Sequence, residues 1–561
     1  MELGFTTCKL LDLPPELLLL VLGQLDEAAL CNLGCTCKDL NAIVFPYFFD
    51  KFRLTSPLHG WISCYPLPKH GLRAIRSCLS IKNINDITYN FSRDIETLME
   101  EVQELHAIVK RLEVKDLELC LTDPDSWAKD RVATVPGTAA SFFLPVLTTG
   151  EWTRLYADLL TASLTRGCKR VKLSGGHEFF NYLSKREQMV ASNSVEFSRE
   201  LTPRYFEESS RSESSSTAKP KRISRWIARV VSFGRKPEAP KSKLESLVLA
   251  SDMLLSSTMF LDWTIQLFSW CAPTLTHLEL QCHETSRETW QYFFSEIHLP
   301  SLQCFKIANG TAMIRPLGIL HFLSKHPSIR TLLLLRGIQF SLPLTRMGSL
   351  PKPVLPSLEQ VIAHPIYLRW LLRDKKQCPK IKEITLLPEC RLRFLRSLYY
   401  DPMDRTLESI LLPRSHKLGL IGFRFPPDHP GLDAWLRSHI GSSAAGGLNA
   451  RSHSSRGVLP RFIHTKHLRI ESIQFVDVVG SFNSQTGPSR LELIARFAGL
   501  FPNVEYLELL DIRTGADRIP PVVDAIRQHC PQVKKLKIGH ASAIDIGQYR
   551  QSGSGDVVNV S

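Results

Sequence analysis

The 561-residue sequence is short of the features that announce most chemistries. No stretch reaches the ~18 consecutive apolar residues that a membrane-spanning helix needs. The first residues, MELGFTTCK, have no basic segment ahead of an apolar core, so no secretory leader is expected. Fourteen cysteines are scattered without a CxxC pair at zinc spacing. Cys31, Cys35 and Cys37 fall in an apolar helical pattern and read as packed thiols. These features place the chain in a reducing compartment, the cytoplasm or the nucleus. There is no HExxH, no GxSxG and no glycine-rich loop followed by Lys-Ser/Thr; Gly446 and Gly447 sit between Ala445 and Leu448. Asp511, Asp517 and Asp524 are spread through loop and helix rather than gathered on one strand face. No catalysis, metal or cofactor is therefore expected. Lysine and arginine total 69 against 55 acidic residues, a net charge of +14, which is mild for this length. The clusters RGCKRVK (166–172) and KPKRISRWIAR (219–229) are short, the second compatible with a nuclear address, and no nucleic-acid partner is expected.

What the sequence does have is a recurring phrase. It runs apolar, Cys or His, then Pro, a small or polar residue, and apolar residues in near alternation. The copies are APTLTHLEL (272–280), LPSLQCFKI (299–307), HPSIRTLLL (326–334), LPSLEQVIA (355–363), CPKIKEITL (378–386), FPNVEYLEL (501–509) and CPQVKKLKI (530–538). Neighbouring prolines within each run lie 23 to 29 residues apart, the period of leucine-rich strand-plus-helix repeats. In CPQVKKLKI, Val533, Leu536 and Ile538 point one way and the lysines do not, as in a strand with one buried face. Pro531 has no N–H and belongs before the strand. PPVVDAIRQHC (520–530) precedes it as a short helix opened by Pro520 or Pro521. SRLELIARFAGLFPN, LGILHFLSKHPS and YLRWLLRDKKQCPK have the same order. Each unit is then helix, proline turn, strand. No unit can bury its apolar face alone, so the units stack. The alternative is a doubly wound α/β sheet. Cys271, Cys378 and Cys530 recur at the turn as small buried side chains. His277, His326, His467 and His529 lie in or beside the phrase and read as turn or surface residues.

The expected organisation is a helical domain at 10–50, linker helices and divergent first repeats at 51–206, a flexible Ser/Lys/Arg-rich insertion at 207–242, an array at 243–412, an irregular insertion at 413–465, further repeats at 466–540 and a frayed tail at 541–561. Phe52, Leu58, Trp61, Ile75, Leu79 and Ile81 are expected to carry the join, and the array to begin near residue 70. SRDIETLMEEVQELHAIVKR (92–111) reads as a helix capped by Ser92, burying Leu98, Val102, Leu105 and Val109. RLEVKDLELCL (111–121) and the end of 145–175, with Val171 and Leu173 inward, read as strands. So do KLESLVL (243–249), TLESILL (406–412) and HLRIESIQFVD (467–477). Trp435, Leu436 and Ile440 mark a short helix. The insertion 336–354 is expected to add contacts at the array's mouth.

The N-terminal unit has too small a core to cover itself, and Leu17 to Leu22 is apolar all round. Pro14 or Pro15 opens its first helix; Gly23 and Asp26 close it. Leu13-Pro14-Pro15-Glu16-Leu17, then Leu20, Leu22, Leu25, Leu30, Leu33, Cys37-Lys38 and Leu40 resemble the F-box motif. Many members have Trp where Leu40 stands, and Leu17 replaces a frequent Ile. The layout resembles the divergent F-box proteins of filamentous fungi, with a leucine-rich-repeat-type solenoid of curved parallel strands and outer helices behind the box, an α/β fold. The resemblance implies that Leu13, Pro14, Glu16, Leu17, Leu20, Leu22, Leu30, Cys37 and Lys38 form or support contact with a Skp-type adaptor, and through it a cullin of an SCF-type ubiquitin ligase. The array would then hold a protein substrate. Outward positions between the apolar anchors are the candidates: Glu279, Lys306, Arg330, Glu359, Lys382, Glu505, Tyr506, Lys535 and Lys537. The basic last copy would suit an acidic or phosphorylated partner, or simply keep an end repeat soluble. The rival readings are a scaffold whose helices only cap the array, and an enzyme on an α/β scaffold.

Overall fold

The computed structural model describes residues 10–121, 149–176, 242–308, 314, 316–335, 355–388, 401–425, 430–441, 458–471, 490–510 and 519–549, apart from 55, 65–66, 93–94, 257, 283–284, 375–376 and 540–541. The expectations for the insertion at 336–354 and for residues 207–241 fall outside them. Two compact units divide the chain at Leu275 and Thr276.

Unit 1 opens with three helices, α1 (Pro15–Gln24), α2 (Glu27–Gly34) and α3 (Lys38–Lys51). Pro15 occupies the first helical position, where its missing N–H costs nothing, and Pro14 stands before it as the cap residue. Asp26 accepts the Ala29 N–H at 2.7 Å and caps α2. The Cys37 thiol takes the same place for α3, accepting from Leu40 at 3.5 Å. The small core is Leu18, Leu22, Leu30, Val44, Phe45, Phe48 and Phe49. Gly34 is required within it: a Cβ there would come within 2.9 Å of the Phe45 ring.

Five parallel strands follow, β1 (Trp61–Cys64), β2 (Asn83–Phe91), β3 (Glu113–Leu121), β4 (Arg170–Gly175) and β5 (Ser246–Ala250), each paired with the next. The ladder therefore starts at residue 61, earlier than residue 70. The helix Ile95–Arg111 buries Leu98, Val102, Leu105 and Val109 as its periodicity requires. It starts three residues after Ser92, whose N–H goes to Glu101 (2.8 Å). The join is not the apolar one expected. Ile75 and Ile81 are buried, but Leu58, Trp61 and Leu79 are exposed. Polar groups carry it instead. Buried Asn41 donates to Gly34 O (3.0 Å) and Ser77 O (2.9 Å) and accepts from Leu79 (2.8 Å). Arg111 donates to Ile75 O (3.0 Å) and Cys78 O (2.8 Å), capping the helix Gly71–Ser77.

Unit 2 contains β6 (His277–Leu280), β7 (Cys304–Ile307), β8 (Thr331–Leu334), β9 (Gln360–Ala363), β10 (Glu383–Leu386), β11 (Leu420–Arg424), β12 (His467–Glu471), β13 (Tyr506–Leu509), β14 (Lys535–Ile538) and β15 (Ile544–Asp545). From β6 to β14 each strand pairs in parallel with the next. In both units strand order follows chain order. A doubly wound sheet reverses its order at a switch point, and neither unit does. Helices alternate with strands, among them Arg287–Glu296, Pro316–Lys325, Pro365–Leu371, Arg490–Gly499 and Ile519–His529. The architecture is α/β, a small helical cap followed by stacked helix–turn–strand units.

All seven copies of the phrase end in a strand at the same place. The residue before each proline is a buried plug: Leu299, His326, Leu355, Cys378, Phe501 and Cys530, with Cys271 serving at the first copy. This corrects the reading of His326 as a turn or surface residue. Its Nε2 accepts the Leu299 N–H at 2.8 Å and its Nδ1–H donates to Phe322 O at 2.6 Å, tying one unit to the last. Burial pushes the ring down to about 4, so it is neutral.

Three further corrections concern boundaries. TLESILL is not a strand. Residues 401–417 form a continuous run of α-, π- and 3-10-helical turns in which Met403, Leu407 and Leu411, spaced by four, are buried. The missing strand is β11, inside the stretch expected to be irregular, where Gly422 lets Thr385 of β10 approach so closely that a Cβ would overlap its hydroxyl. The helix Pro430–Ile440 lies in that stretch too, with Trp435 and Leu436 buried. The described part of the tail is held: β15 pairs antiparallel with β14, and Arg527 donates to Ile546 O and Tyr549 O.

Candidate functional site

Two surfaces collect the candidate residues. The first is α1. Its core-facing side is Leu18 and Leu22, one turn apart. A ten-residue helix that buries two leucines leaves the rest of LLLLVL to water. Leu17 is 49% exposed, Leu20 65%, and Leu19 and Val21 are also exposed. Leu17, Leu20 and Val21 share one face by the helical period. Pro14 and Glu16 are exposed at the N-terminal end and Leu13 is half-buried. Glu16 lies in the first turn, where a carboxylate suits the helix dipole. At the other end Lys51 donates to Gly23 O (3.1 Å) and Leu25 O (2.9 Å), fixing α1 against α3. Cys31 is buried, but Cys35 and Cys37 are exposed, which corrects the reading of all three as packed thiols; Cys37 and Lys38 stand exposed at the start of α3. Leu22 and Leu30 are completely buried, so any part they play in an interface is to hold up the surface above them. Sequence reasoning did not single out Leu19, Val21, Ile43 or Lys51. Nothing distinguishes one leucine from the next in LLLLVL until the packing side is fixed. Lys51 is coupled to α1 over 28 residues, with no local signal.

The second surface is the outward side of the strands. Glu279 and Lys306, on neighbouring strands, pair at 2.6 Å, and Glu359 and Lys382 at 3.5 Å. Glu505 takes Lys534 (3.2 Å) and Lys466 (3.8 Å). Its hydrogen bond with Lys534 holds its carboxyl below the ordinary range. Further in, Glu508 receives Arg469 (2.5 Å), His467 (3.4 Å) and Lys537 (4.0 Å). Burial works to raise the Glu508 carboxyl, but the Arg469 hydrogen bond and the surrounding cations outweigh it and hold it low. Arg424 meets buried Glu471 at 2.5 Å. Tyr506 lies against the His467 ring, centroids 4.4 Å apart. Two of the three lysines in the last copy are thus matched to Glu505 and Glu508, which reduces its basic excess. Arg330 and Lys535 are exposed, and among the described residues no carboxylate pairs with either. Cys271, Cys378 and Cys530 are inert plugs, burial pushing each thiol upward.

Among the described residues no group of three or more His, Cys, Asp and Glu is arranged to hold a metal, and no helix is long and apolar enough to cross a membrane.

A family model described as F-box-like matches residues 10–54, the span of α1 to α3. An F-box-like module is a non-catalytic adaptor element, and the match extends over residues 10–54 alone. No curated protein matches the chain. Among solved structures, the leucine-rich repeat-containing protein LegL7 from Legionella pneumophila is 12% identical, with a TM-score of 0.36 over 80% of this chain and 98% of that one. The TLR13 chain of a TLR13–ssRNA13 complex is also 12% identical, with a TM-score of 0.25 over 84% of this chain and 57% of that one. Neither likeness is close enough to carry anything over to this chain.

Proposed function

We propose that the chain is the substrate-recognition subunit of a cullin–RING, SCF-type ubiquitin ligase: α1 to α3 hold a Skp-type adaptor, and the strand ladder, a leucine-rich-repeat-type array, holds a protein substrate. The observation that carries this reading is the apolar face of α1. Exposed leucines on a helix that belongs to an F-box-like module mark a surface kept for a partner. A helical cap that served only to cover the ladder would bury that face. The strand side offers charged and aromatic groups at fixed spacing, suited to a protein surface rather than to a small molecule. The chain's contribution is proximity: it raises the effective concentration of the substrate's lysines near the ubiquitin-charged enzyme and performs no bond chemistry.

The test is capture of intact chain and of a variant with Leu17 and Leu20 replaced by Asp, followed by mass spectrometry. Adaptor and cullin with the native chain, and their loss from a variant that still melts at the native temperature, support the reading. Absence of adaptor from both folded forms overturns it and leaves a repeat-built interaction scaffold in its place.

A further inference from the structure

The first two strands of unit 1 carry an arrangement that the pairing on the later strands does not absorb. Trp61 on β1 and Asp86 on β2 are register partners. The next residues along, Ile62 and Ile87, are buried, so Trp61 and Asp86 stand together on the outward side. The approach to β1 is firmly held. Gly60 adopts a φ of +83° after the turn Ser56–His59, and its carbonyl accepts the Asn85 N–H at 2.6 Å. On this fixed strand the indole is 53% exposed, the one tryptophan among the described residues that is. Trp152, Trp290, Trp370 and Trp435 are all buried.

The charges around Asp86 are already taken. Asp116, its register partner on β3, is clasped by Arg170, whose Nε lies 2.7 Å from one carboxylate oxygen while a second guanidinium nitrogen reaches the other. Lys172 pairs with Glu118, and Lys169 with Glu245 at 3.2 Å. Among the described residues no cation pairs with Asp86. Partial burial and the neighbouring Asp116 push its carboxyl above the ordinary range, with Arg170 only partly opposing them. A cation arriving from outside relieves that repulsion.

We propose that Trp61 and Asp86 form a subsite for an arginine side chain of a protein partner. A guanidinium is flat, so it stacks on the indole while its edge donates to the carboxylate on the adjoining strand, roughly 5 Å away. A lysine ammonium is a point charge and satisfies one group at the expense of the other. The chain's net charge of +14 opposes general attraction of a basic partner, so binding there must come from local contact. The subsite rests on the reading of the strand side as the receptor surface. It is independent of adaptor docking on α1.

The probe is a dye-labelled peptide in which arginine alternates with glycine and serine, titrated into the full chain and followed by fluorescence anisotropy. Its citrulline counterpart has the same shape without the charge. Trp61→Ala and Asp86→Asn are each expected to weaken the arginine peptide by about fivefold to tenfold. Asp262→Asn, an exposed carboxylate on the helix Thr258–Cys271, is expected to leave it unchanged. Asp86→Asn should keep or raise the melting temperature, which a merely structural role for Asp86 would not. Equal binding of the citrulline peptide, or unchanged binding by both variants, overturns the proposal. Adaptor capture is measured on the same variants. Retained adaptor with lost peptide isolates the subsite; retained peptide with lost adaptor in the Leu17/Leu20 variant isolates α1.

Discussion

The two candidate surfaces solve opposite problems. On α1, side chains that should be buried are left in water. On the strand face of unit 2, charges that should be in water are set against one another: Glu508, only 5% exposed, gathers Arg469, His467 and Lys537. An apolar face gains by covering with any complementary apolar surface, which suits a common partner. A face whose charges are internally paired offers little to a passing charge, so selectivity falls to the few groups left out of the pairing. The comparison predicts that neighbouring residues of one surface differ sharply in what their removal costs.

The sharpest break lies within α1. Leu22→Ala empties a fully buried site and is expected to destabilise the chain by about 3 kcal/mol. Leu20→Ala, two residues earlier and 65% exposed, is expected to cost under ~0.5 kcal/mol of stability while weakening capture of the adaptor. Chemical denaturation of the two variants, read beside adaptor capture, checks the pair. If Leu20→Ala proved as destabilising as Leu22→Ala, the face would be part of the core and not an interface.

Next in size is the pH dependence set by His326. The unfolded ring takes up a proton at its ordinary 6.5, whereas the native ring, buried between Leu299 N–H and Phe322 O, does so only near 4. Unfolding therefore binds a proton in that interval. The contribution is whole above pH 6.5 and is lost as the pH falls towards 4, up to about 3 kcal/mol. The groups facing the ring, His298 and Lys325, act on it in the same direction as burial. His326→Leu should flatten the fall in stability between pH 6.5 and 4, measured by urea unfolding at each pH. An unchanged slope would place the titrating group elsewhere.

Smaller again is the effect of Glu508→Ala. It strands Arg469 with its nearest carboxylate gone and Glu471 3.9 Å away as the remaining partner, so a loss of about 2 kcal/mol is expected. Thermal unfolding reads it.

These contrasts also mark where the sequence was readable. The proline phrase placed seven strands correctly, because proline and a period-two apolar pattern are both local signals. β11 lacks the phrase, and so no local signal announces it. TLESILL reads as a strand by itself, whereas Met403 just before it and its own Leu407 and Leu411 are buried at a spacing of four. His326 shows the same limit at one residue. The phrase fixed its position, but only the plugs in the same place in the other copies show that the position is interior. On α1 the motif named the helix, while the split between Leu20 outside and Leu22 inside depends on where α3 lies. The pairing of Glu508 with Arg469 joins residues 39 apart, which no window of sequence displays.

The smallest expected effect completes the comparison. Glu359 and Lys382, each one residue ahead of its strand (β9 and β10), pair as Glu508 and Arg469 do, but their side chains are 40% and 66% exposed. Water screens the attraction, and two long side chains must be ordered to make it. Glu359→Ala should therefore change stability by less than ~0.5 kcal/mol. The same substitution frees Lys382, and so turns a self-satisfied position into an available cation. Screening captured proteins from both forms separates the two uses of the pair. An unchanged set means that the charge there only keeps the strand face soluble. A changed set at unchanged stability means that pairing is how this surface withholds its charges from the wrong partner.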